Sequence, residues 1–495
     1  MSLIEVSDLT FSYEGSPQPV FEGLTLQLDT DWKLGFTGRN GRGKTTLLRL
    51  LSGAYPYGGT ITASVEPVYF PYPVAQPEDT VQAVAAAAAP EAEDWQLQRE
   101  LGLLDLPLEL LDRPFSTLSP GERTRVLLAA LFLRRDAYPL IDEPTNHLDV
   151  EGRRKLAAYL TRKRGFLLVS HDRDFLDRCT DHTLALTPTG AQVRRGSFSV
   201  WWENHQQQMA FEQARQEKLQ KDIRRLNEAA RRASAWSDRT EQGKFGVDKT
   251  GAKAADRGYV GHQAAKMMKR SKAIQRRREE AVEEKAGLLR DAEKQETLLL
   301  RPRSSPPGRR LVELREVSIA YDNRTVCAGV TFAVCSGERI ALRGPNGCGK
   351  TSLLRLVLGE LEPAAGQVER RSGLVISQVR QNADHLEGSL SDFIRARRLD
   401  PTRFHTVLRK LDFPRSQFEQ ELSAYSAGQK KKVLLAASLC EEADLYIWDE
   451  PLNYVDVLSR IQLEELILAC RPTLLLVEHD GRFCDTVATR TVELG

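Results

Sequence analysis

No stretch of this 495-residue chain stays apolar long enough to cross a bilayer. Its longest apolar runs, such as TVQAVAAAAAP, stop well short of the roughly 20 residues that a membrane-spanning helix needs. The amino terminus, MSLIEVSDLTFSY, has no basic segment followed by an apolar core, so no secretory leader is expected. The seven cysteines form no Cys-x-x-Cys pair and no metal-ligand cluster, which speaks against a disulfide framework and for a reducing cytoplasm. Net charge is nearly missing too, at +2. That average is misleading. Residues 221–278 carry 17 Lys and Arg against 6 Asp and Glu, so a strongly basic centre is offset by acidic flanks. With 41% hydrophobic and 28% charged residues the chain is of globular type, and its length calls for two or three domains.

What is present in excess is self-similarity. GRNGRGKTTLLRLLSG (38–53) recurs as GPNGCGKTSLLRLVLG (344–359). LSPGERTRVLLAALFL (118–133) recurs as YSAGQKKKVLLAASLC (425–440), and YPLIDEPTNHLDV (138–150) as LYIWDEPLNYVDV (445–457). LLVSHDRDFLD (167–177) recurs as LLVEHDGRFCD (475–485). Offsets of 306, 307 and 308 residues between Lys44 and Lys350, Asp142 and Asp449, and His171 and His479 mean two copies of one domain. Short apolar strands such as WKLGFTG, AYPLID and GFLLVS alternate with helices, which predicts an α/β fold around a mostly parallel sheet.

The first motif of each copy matches a phosphate-binding loop. Its members are Gly38, Arg39, Asn40, Gly41, Arg42, Gly43, Lys44, Thr45 and Thr46, and Gly344, Pro345, Asn346, Gly347, Cys348, Gly349, Lys350, Thr351 and Ser352. The glycines let backbone N–H groups and a helix N-terminus face a β-phosphate. The lysine reaches the β/γ oxygens, and the hydroxyls of Thr45 and Thr351 ligate Mg²⁺. Asp142 and Asp449 end apolar strands, where a carboxylate that orients Mg²⁺ stands. Glu143 and Glu450 follow directly, placed to accept a proton from the attacking water. A surface ion pair is the alternative for each glutamate. His171 and His479 recur 29 and 30 residues beyond the aspartates, which favours a γ-phosphate contact over a structural role.

LSPGE and YSAGQ, set between phosphate loop and aspartate, together with EPTNHLD, resemble the signatures of ATP-binding-cassette (ABC) ATPases. The resemblance implies ATP and Mg²⁺ sandwiched between two head-to-tail cassettes. Lys44 would then work with Ser426, Gly428 and Gln429, and Lys350 with Ser119, Gly121 and Glu122. It also implies that Tyr13 and Tyr321 stack on adenine, and that Gln381 in ISQVRQ ligates the metal. Three departures predict unequal sites. Pro120 and Glu122 stand where the family prefers Gly and Gln, Tyr72 fills the slot of Gln381, and NYVD replaces NHLD.

About a hundred residues separate the copies, far more than a connection needs. Leu219, Ile223, Leu226, Ala230 and Ala233 step by four and three, and Met267, Ile274, Ala281 and Leu288 step by seven. Such narrow seams on charged helices predict an antiparallel hairpin, with a first arm over 204–236 of about 50 Å. The expected division is a first cassette over 1–203, a hairpin linker over 204–305 with its tip near 237–262, and a second cassette over 306–495. A spacer with solvated charges is one reading of the linker. Against it, the charge is one-signed and concentrates at the tip, where Trp236, Phe245 and Tyr259 have no evident core. The tip candidates are these three with Lys244, Lys249, Lys253, Arg257, His262, Lys266, Lys269 and Arg270. Cations beside flat rings suit RNA phosphates and unpaired bases.

Paired cassettes, a helical linker and no membrane domain resemble the ABC-F family, whose GNYSxY segment is similar to GSFSVWW (196–202). This implies a cytoplasmic ATPase that works as a monomer, its two cassettes pairing within one chain. The implied partners are the exit site of the bacterial ribosome, its large-subunit RNA, and the peptidyl-site tRNA. Spacings of 47 residues from Tyr72 to Ser119 and 45 from Gln381 to Ser426 leave no room for an extra arm in the first cassette. With 16 residues after His479, no C-terminal coiled coil is expected. DRGYVGHQAAKMMKRSK and EPLNYVD look most like the Lsa-type antibiotic-resistance group, which implies protection against lincosamides, streptogramin A and pleuromutilins. A housekeeping translation factor and a soluble transporter subunit remain the other readings.

Overall fold

The computed structural model describes residues 2–14, 19–146, 148–187, 190–242, 266, 269, 273, 276–277, 300–303, 306–321, 324–345, 347–411, 413 and 417–494. In the first copy, β1 (Leu3–Phe11) alternates buried and exposed residues, as an antiparallel strand with one face on a core must. It pairs with β2 (Phe21–Asp29). After β3 (Lys33–Thr37) comes β4 (Gly58–Ala63), on the other edge of β1, giving the three-stranded order β2-β1-β4. The larger sheet uses β5 (Glu66–Phe70), β6 (Ala137–Asp142), β7 (Phe166–Val169), β8 (His182–Thr187) and β9 (Gly190–Arg195). Its order is β5-β6-β7-β3-β8-β9, parallel except for β9. All four residues of β7 are buried, the near-continuous apolar pattern of a strand covered on both faces.

The second copy repeats this with β10 (Arg310–Tyr321), β11 (Arg324–Cys335), β12 (Arg339–Arg343) and β13 (Ala365–Arg370). They are followed by β14 (Ile376–Val379), β15 (Leu445–Asp449), β16 (Leu474–Val477) and β17 (Arg490–Glu493). The sheets run β11-β10-β13 and, all parallel, β14-β15-β16-β12-β17. In each copy the helix after the phosphate loop is packed with both sheets. Leu47 and Leu48 share one core with Val6, Leu26, Phe36 and Leu140, and Leu353 and Leu354 share another with Val312, Ile340 and Ile447. Burial of those side chains holds each loop rigidly at the carboxyl end of the sheet, where open α/β sheets bind ligands. The chain has the predicted α/β architecture, two copies of one domain each built on a mostly parallel sheet.

One compact unit holds Met1–Ser199 with Glu296–Gly495, and a second holds Val200–Gln295. A 45-residue helix, Phe198–Gln242, leads into the second unit. It starts six residues before and ends six residues after the arm expected over 204–236, and so takes in 237–242 of the expected tip. At 1.5 Å per residue it is about 68 Å long. Ring stacking firms its first turns, with Trp201 and His205 at 5.0 Å and 10°. Trp236 lies within this helix, and Lys266 and Lys269 are exposed helical residues. Lys244, Phe245, Lys249, Lys253, Arg257, Tyr259, His262 and Arg270 lie outside the described residues, as does the seam Met267, Ile274, Ala281 and Leu288. Among the described residues, no helix is long and apolar enough to cross a membrane.

Candidate functional site

Each phosphate loop joins a buried strand to a helix, β3 to Lys44–Leu51 and β12 to Lys350–Leu358. Gly43 and Gly349 cap these helices at φ 93° and 92°, a left-handed conformation that only glycine adopts cheaply. Space demands glycine as well, since a Cβ on Gly43 would lie 2.7 Å from Phe21 Cζ. The buried Lys44 Nζ donates to the carbonyls of Gly38 at 2.7 Å and Arg39 at 3.1 Å, and to Asn40 Oδ1 at 3.3 Å. Lys350 Nζ donates to the carbonyls of Gly344 and Pro345, both at 2.8 Å. Gly41, Arg42 and Gly347 lie on the exposed rims of the loops, Cys348 is buried, and Asn346 lies outside the described residues. Two ammonium groups and two helix N-termini thus converge on anion-binding concavities.

Tyr13 and Tyr321 are tethered alike. Tyr13 OH is 2.8 Å from Thr46 Oγ1, and Tyr321 OH donates to Ser352 Oγ at 3.1 Å. The two tyrosines are 42% and 41% exposed, so an aromatic residue stands open beside each loop.

The acidic residues fit Mg²⁺. Thr45 Oγ1 donates to Asp142 Oδ2 at 2.7 Å, bringing together the hydroxyl and carboxylate that a hard cation prefers. In the second copy Asp449 Oδ1 is buried without a hydrogen-bond partner, an orphaned acceptor that a cation would satisfy. Burial, with the Glu450 charge adding to it, pushes Asp449 up to about 6 despite a hydrogen bond from Thr351. Mg²⁺, when bound there, neutralises β- and γ-phosphate charge.

Glu143 and Glu450 share an unusual backbone. Their φ values are 51° and 49°, in the left-handed region that non-glycine residues rarely enter. Each is held there by a 2.9 Å bond from its own N–H, to Val169 O and Val477 O respectively. Strain of order 1–3 kcal/mol, kept in both copies, marks these glutamates as candidates for chemistry. His171 Nε2 and His479 Nε2 each lie 3.3 Å from the neighbouring glutamate.

Beyond that the copies diverge. Glu450 accepts from Gln381 Nε2 at 3.0 Å and Asn453 Nδ2 at 2.7 Å. Burial would raise its pKa, but bonds from His479, Gln381 and Asn453 outweigh it and hold the carboxyl at about 2. Glu143 Oε1 is buried without a hydrogen bond, and burial beside Asp142 pushes this carboxyl up to about 8. Burial, with Lys44, Arg460 and Lys432 nearby, drives His171 well below the usual histidine range.

Strand register explains the difference. Phe70 pairs with Ile141, and Val379 with Trp448, so Tyr72 and Gln381 occupy the same place two residues past their strands. Gln381 turns toward Glu450, whereas Tyr72 turns away and donates to Leu127 O at 2.8 Å. Tyr69 takes the vicinity of the metal carboxylate instead, donating to Asp142 Oδ2 at 3.0 Å.

Ser119 and Ser426 are N-caps of the helices Pro120–Leu131 and Ala427–Cys440, each in a capping box with the residue three further on. Pro120 occupies the first helical position, where its missing N–H breaks no helical bond. Ser119 Oγ donates to Glu122 Oε2 at 2.7 Å. Glu122 Oε2 and Gln429 Oε1 alike accept the N–H of their serine at 2.8 Å, but the neutral Gln429 gives the second signature no such charge. The cassettes meet where Asn40 Nδ2 donates to Tyr454 O at 2.9 Å. A Cβ on Gly428 would lie 2.9 Å from Tyr454 Cβ. Tyr454 therefore bridges the first phosphate loop and the second signature.

Sequence motifs gave no hint of Lys431. From inside the signature helix its buried Nζ donates to Arg380 O at 2.6 Å, Asp449 O at 2.7 Å and Gln381 O at 3.4 Å. Burial lowers this lysine to about 8 against the pull of Asp449, Glu450 and Glu478. It braces the backbone on both sides of Gln381 and Asp449. Thr124 stands at the corresponding place of the first copy and, among the described residues, bonds its own helix, at Pro120 O. Lys431→Met is expected to lower turnover at the Lys350 site about tenfold with little change in KM for ATP. The measurement is steady-state kinetics in a Glu143→Gln background, and an effect on KM alone would remove Lys431 from this positioning role.

Residues 21–146 and 327–453 match the family model described as ABC transporter, which makes both halves ATPase domains of the ABC class. The chain is 31% identical to the ATP-binding protein Uup of Caulobacter vibrioides, over 96% of this chain and 75% of that protein. It is 29% identical to the ribosome protection protein VmlR of Bacillus subtilis, over 97% and 85%. A likeness to ABC transporter F family member 2 of Arabidopsis thaliana, 23% identical, covers 96% and 75%. Among solved structures, that of an RNase-L inhibitor superposes with a TM-score of 0.63 over 98% of this chain and 87% of that one. Its 21% identity carries the fold alone. The chain belongs to the ABC-F family of ABC ATPases, and it is an ATPase that uses ATP with Mg²⁺.

Proposed function

We propose that this ATPase acts on the bacterial ribosome, closing its cassettes on ATP and presenting the basic insert to ribosomal RNA. One observation carries the reading. Two phosphate-loop sites in one chain lie, in sequence, before and after a unit that opens with a 45-residue helix and holds most of the basic excess at 221–278. The similarity to a ribosome protection protein along nearly the whole chain supports it. In finer detail, the insert enters at the vacant exit site, and its tip points toward the peptidyl-transferase centre beside the peptidyl-site tRNA. There it reshapes the pocket for lincosamides, streptogramin A and pleuromutilins. Lys44 and Lys350 hold the phosphates, and Glu143 and Glu450 draw the proton from water. His171 and His479 hold the γ-phosphate edge, and hydrolysis lets the cassettes part and the protein leave.

The test is cosedimentation of the purified chain with ribosomes in a non-hydrolysable ATP analogue, alongside expression in a drug-sensitive bacterium. Binding is expected to fall steeply with salt while ATP affinity does not. Tolerance to the three drug classes is expected to rise, and changes at Phe245 or Tyr259 to lower it with ATPase activity intact. Ribosome binding with unchanged tolerance would make the chain a housekeeping factor. No association with ribosomes would overturn the reading altogether.

A further inference from the structure

Outside the nucleotide sites, the second cassette contains a cavity of about 970 Å³ whose wall is the inner end of β14. Its lining is mixed, with apolar Val375, Leu399, Val407, Cys440 and Ala443, here termed the floor, beside polar Ser377, Gln378, Thr402 and Thr406. Its rim is cationic, with Arg301, Arg303, Arg397, Arg398, Arg403 and Lys410 against Asp400, Glu441 and Glu442. The acids are partly committed. Asp400 accepts the N–H groups of Thr402 and Arg403, and Glu441 pairs with Arg397 at 2.9 Å and accepts from Ser377 Oγ at 2.5 Å. Arg397 is further pinned over the Phe393 ring at 5.1 Å, and Arg403 donates to Leu439 O at 3.2 Å. Arg301, Arg303 and Arg398 make no ion pair and no side-chain hydrogen bond among the described residues. Three uncommitted guanidinium groups around a concave apolar floor are an arrangement with no use in ATP hydrolysis.

We infer that this cavity is a binding site for unpaired nucleotides, the arginine rim holding phosphates and the apolar floor receiving a base. Guanidinium forks match phosphate oxygens in pairs, and the hydroxyls of Thr402 and Thr406 on the lining add donors. Volume fits as well, since sites that bury small organic ligands span roughly 300–1,000 Å³. A flat base uses the floor, whereas an acidic peptide side chain would leave it bare. The occupant committed to is a single-stranded stretch of RNA, and a free nucleotide would present the same chemistry. Gln378 lines both this cavity and a neighbouring one of about 250 Å³ that contains Gln381 and Asp449. An occupant of the cavity would therefore touch the strand that leads into Gln381.

The inference stands apart from the ribosome, because isolated RNA is the probe. Full-length protein is irradiated with a 4-thiouridine-labelled hexanucleotide, in parallel with 4-thiouridine monophosphate, and cross-linked peptides are mapped. Cross-links within 397–410 and 440–443 are expected. They should be lost at least tenfold in the Arg301→Gln, Arg303→Gln, Arg398→Gln triple variant, whose ATP turnover stays unchanged. If three phosphates are held, the logarithm of cavity labelling falls with log salt at a slope of about −2. Equal labelling by the monophosphate would support the site and make its ligand a free nucleotide. Cross-links confined to 221–278, undiminished labelling of the triple variant, or displacement by polyglutamate as effective as by RNA would each overturn it. Ribosome cosedimentation of the same triple variant reports separately on the proposed function.

Discussion

With Glu143 and Glu450 both replaced by glutamine, steady-state ATP turnover falls by about 10²–10⁴-fold while ATP still binds. Glutamine keeps the shape of the side chain and the strained backbone beneath it, but it takes no proton from water. On the proposed function the double variant stays on ribosomes in ordinary ATP, as the parent does only with a non-hydrolysable analogue. Free sedimentation of that variant in ATP would break the link between hydrolysis and release. The single variants are expected to differ. Glu450 is aligned by Gln381 and Asn453 and held at about 2, whereas Glu143 Oε1 lies near His171 but makes no hydrogen bond, and this carboxyl is pushed up to about 8. Glu450→Gln should therefore cost more turnover near neutral pH than Glu143→Gln, and equal losses would refute unequal sites.

The second large effect concerns the junction of the cassettes. Arg173 and Glu464, 5% and 6% exposed, form a two-pronged ion pair, with Nη1 to Oε2 at 3.1 Å and Nη2 to Oε1 as the other prong. Glu464→Ala leaves a guanidinium buried without its counter-charge, which is expected to cost about 3–5 kcal/mol. Removing both charges with Arg173→Leu and Glu464→Leu should restore most of that, because a buried pair gains little over packed apolar groups. Denaturant unfolding of the three proteins checks this through the first transition. A Glu464→Ala protein as stable as its parent would show that the junction does not depend on the pair.

The parts legible in the sequence were those with local grammar. Gly43 and Gly349 sit between an apolar strand and a helix because the turn needs a left-handed residue, and a motif eight residues long displays that need. The recurrence of four motifs at nearly constant spacing announced two α/β copies. The slot of Gln381 and Tyr72 was visible, but not that Tyr72 turns toward Leu127 and leaves Asp142 to Tyr69. Such choices depend on which buried acceptor lies within reach after folding. Lys431, 50 residues from Gln381, and Arg173, 291 from Glu464, escaped for the same reason, since pairing across the sheet or between cassettes leaves no periodic trace. The seam over 204–236 predicts a helix there, and the helix begins earlier, at Phe198, where the GSFSVWW segment offers no helical spacing.

Tyr72 has a wider consequence for how the molecule cycles. In the second copy a chain of bonds runs from Glu450 through Gln381 to Lys431 on the helix Ala427–Cys440, a path along which a change at a bound γ-phosphate would be relayed. In the first copy that relay is missing at both links, with Tyr72 for Gln381 and Thr124 for Lys431. On the proposed function, the nucleotide at the Lys350 site would then trigger opening, while the one at the Lys44 site would act as a standing fastener. Such a cycle would take its sequence of events from the asymmetry of two side chains rather than from any difference in fuel.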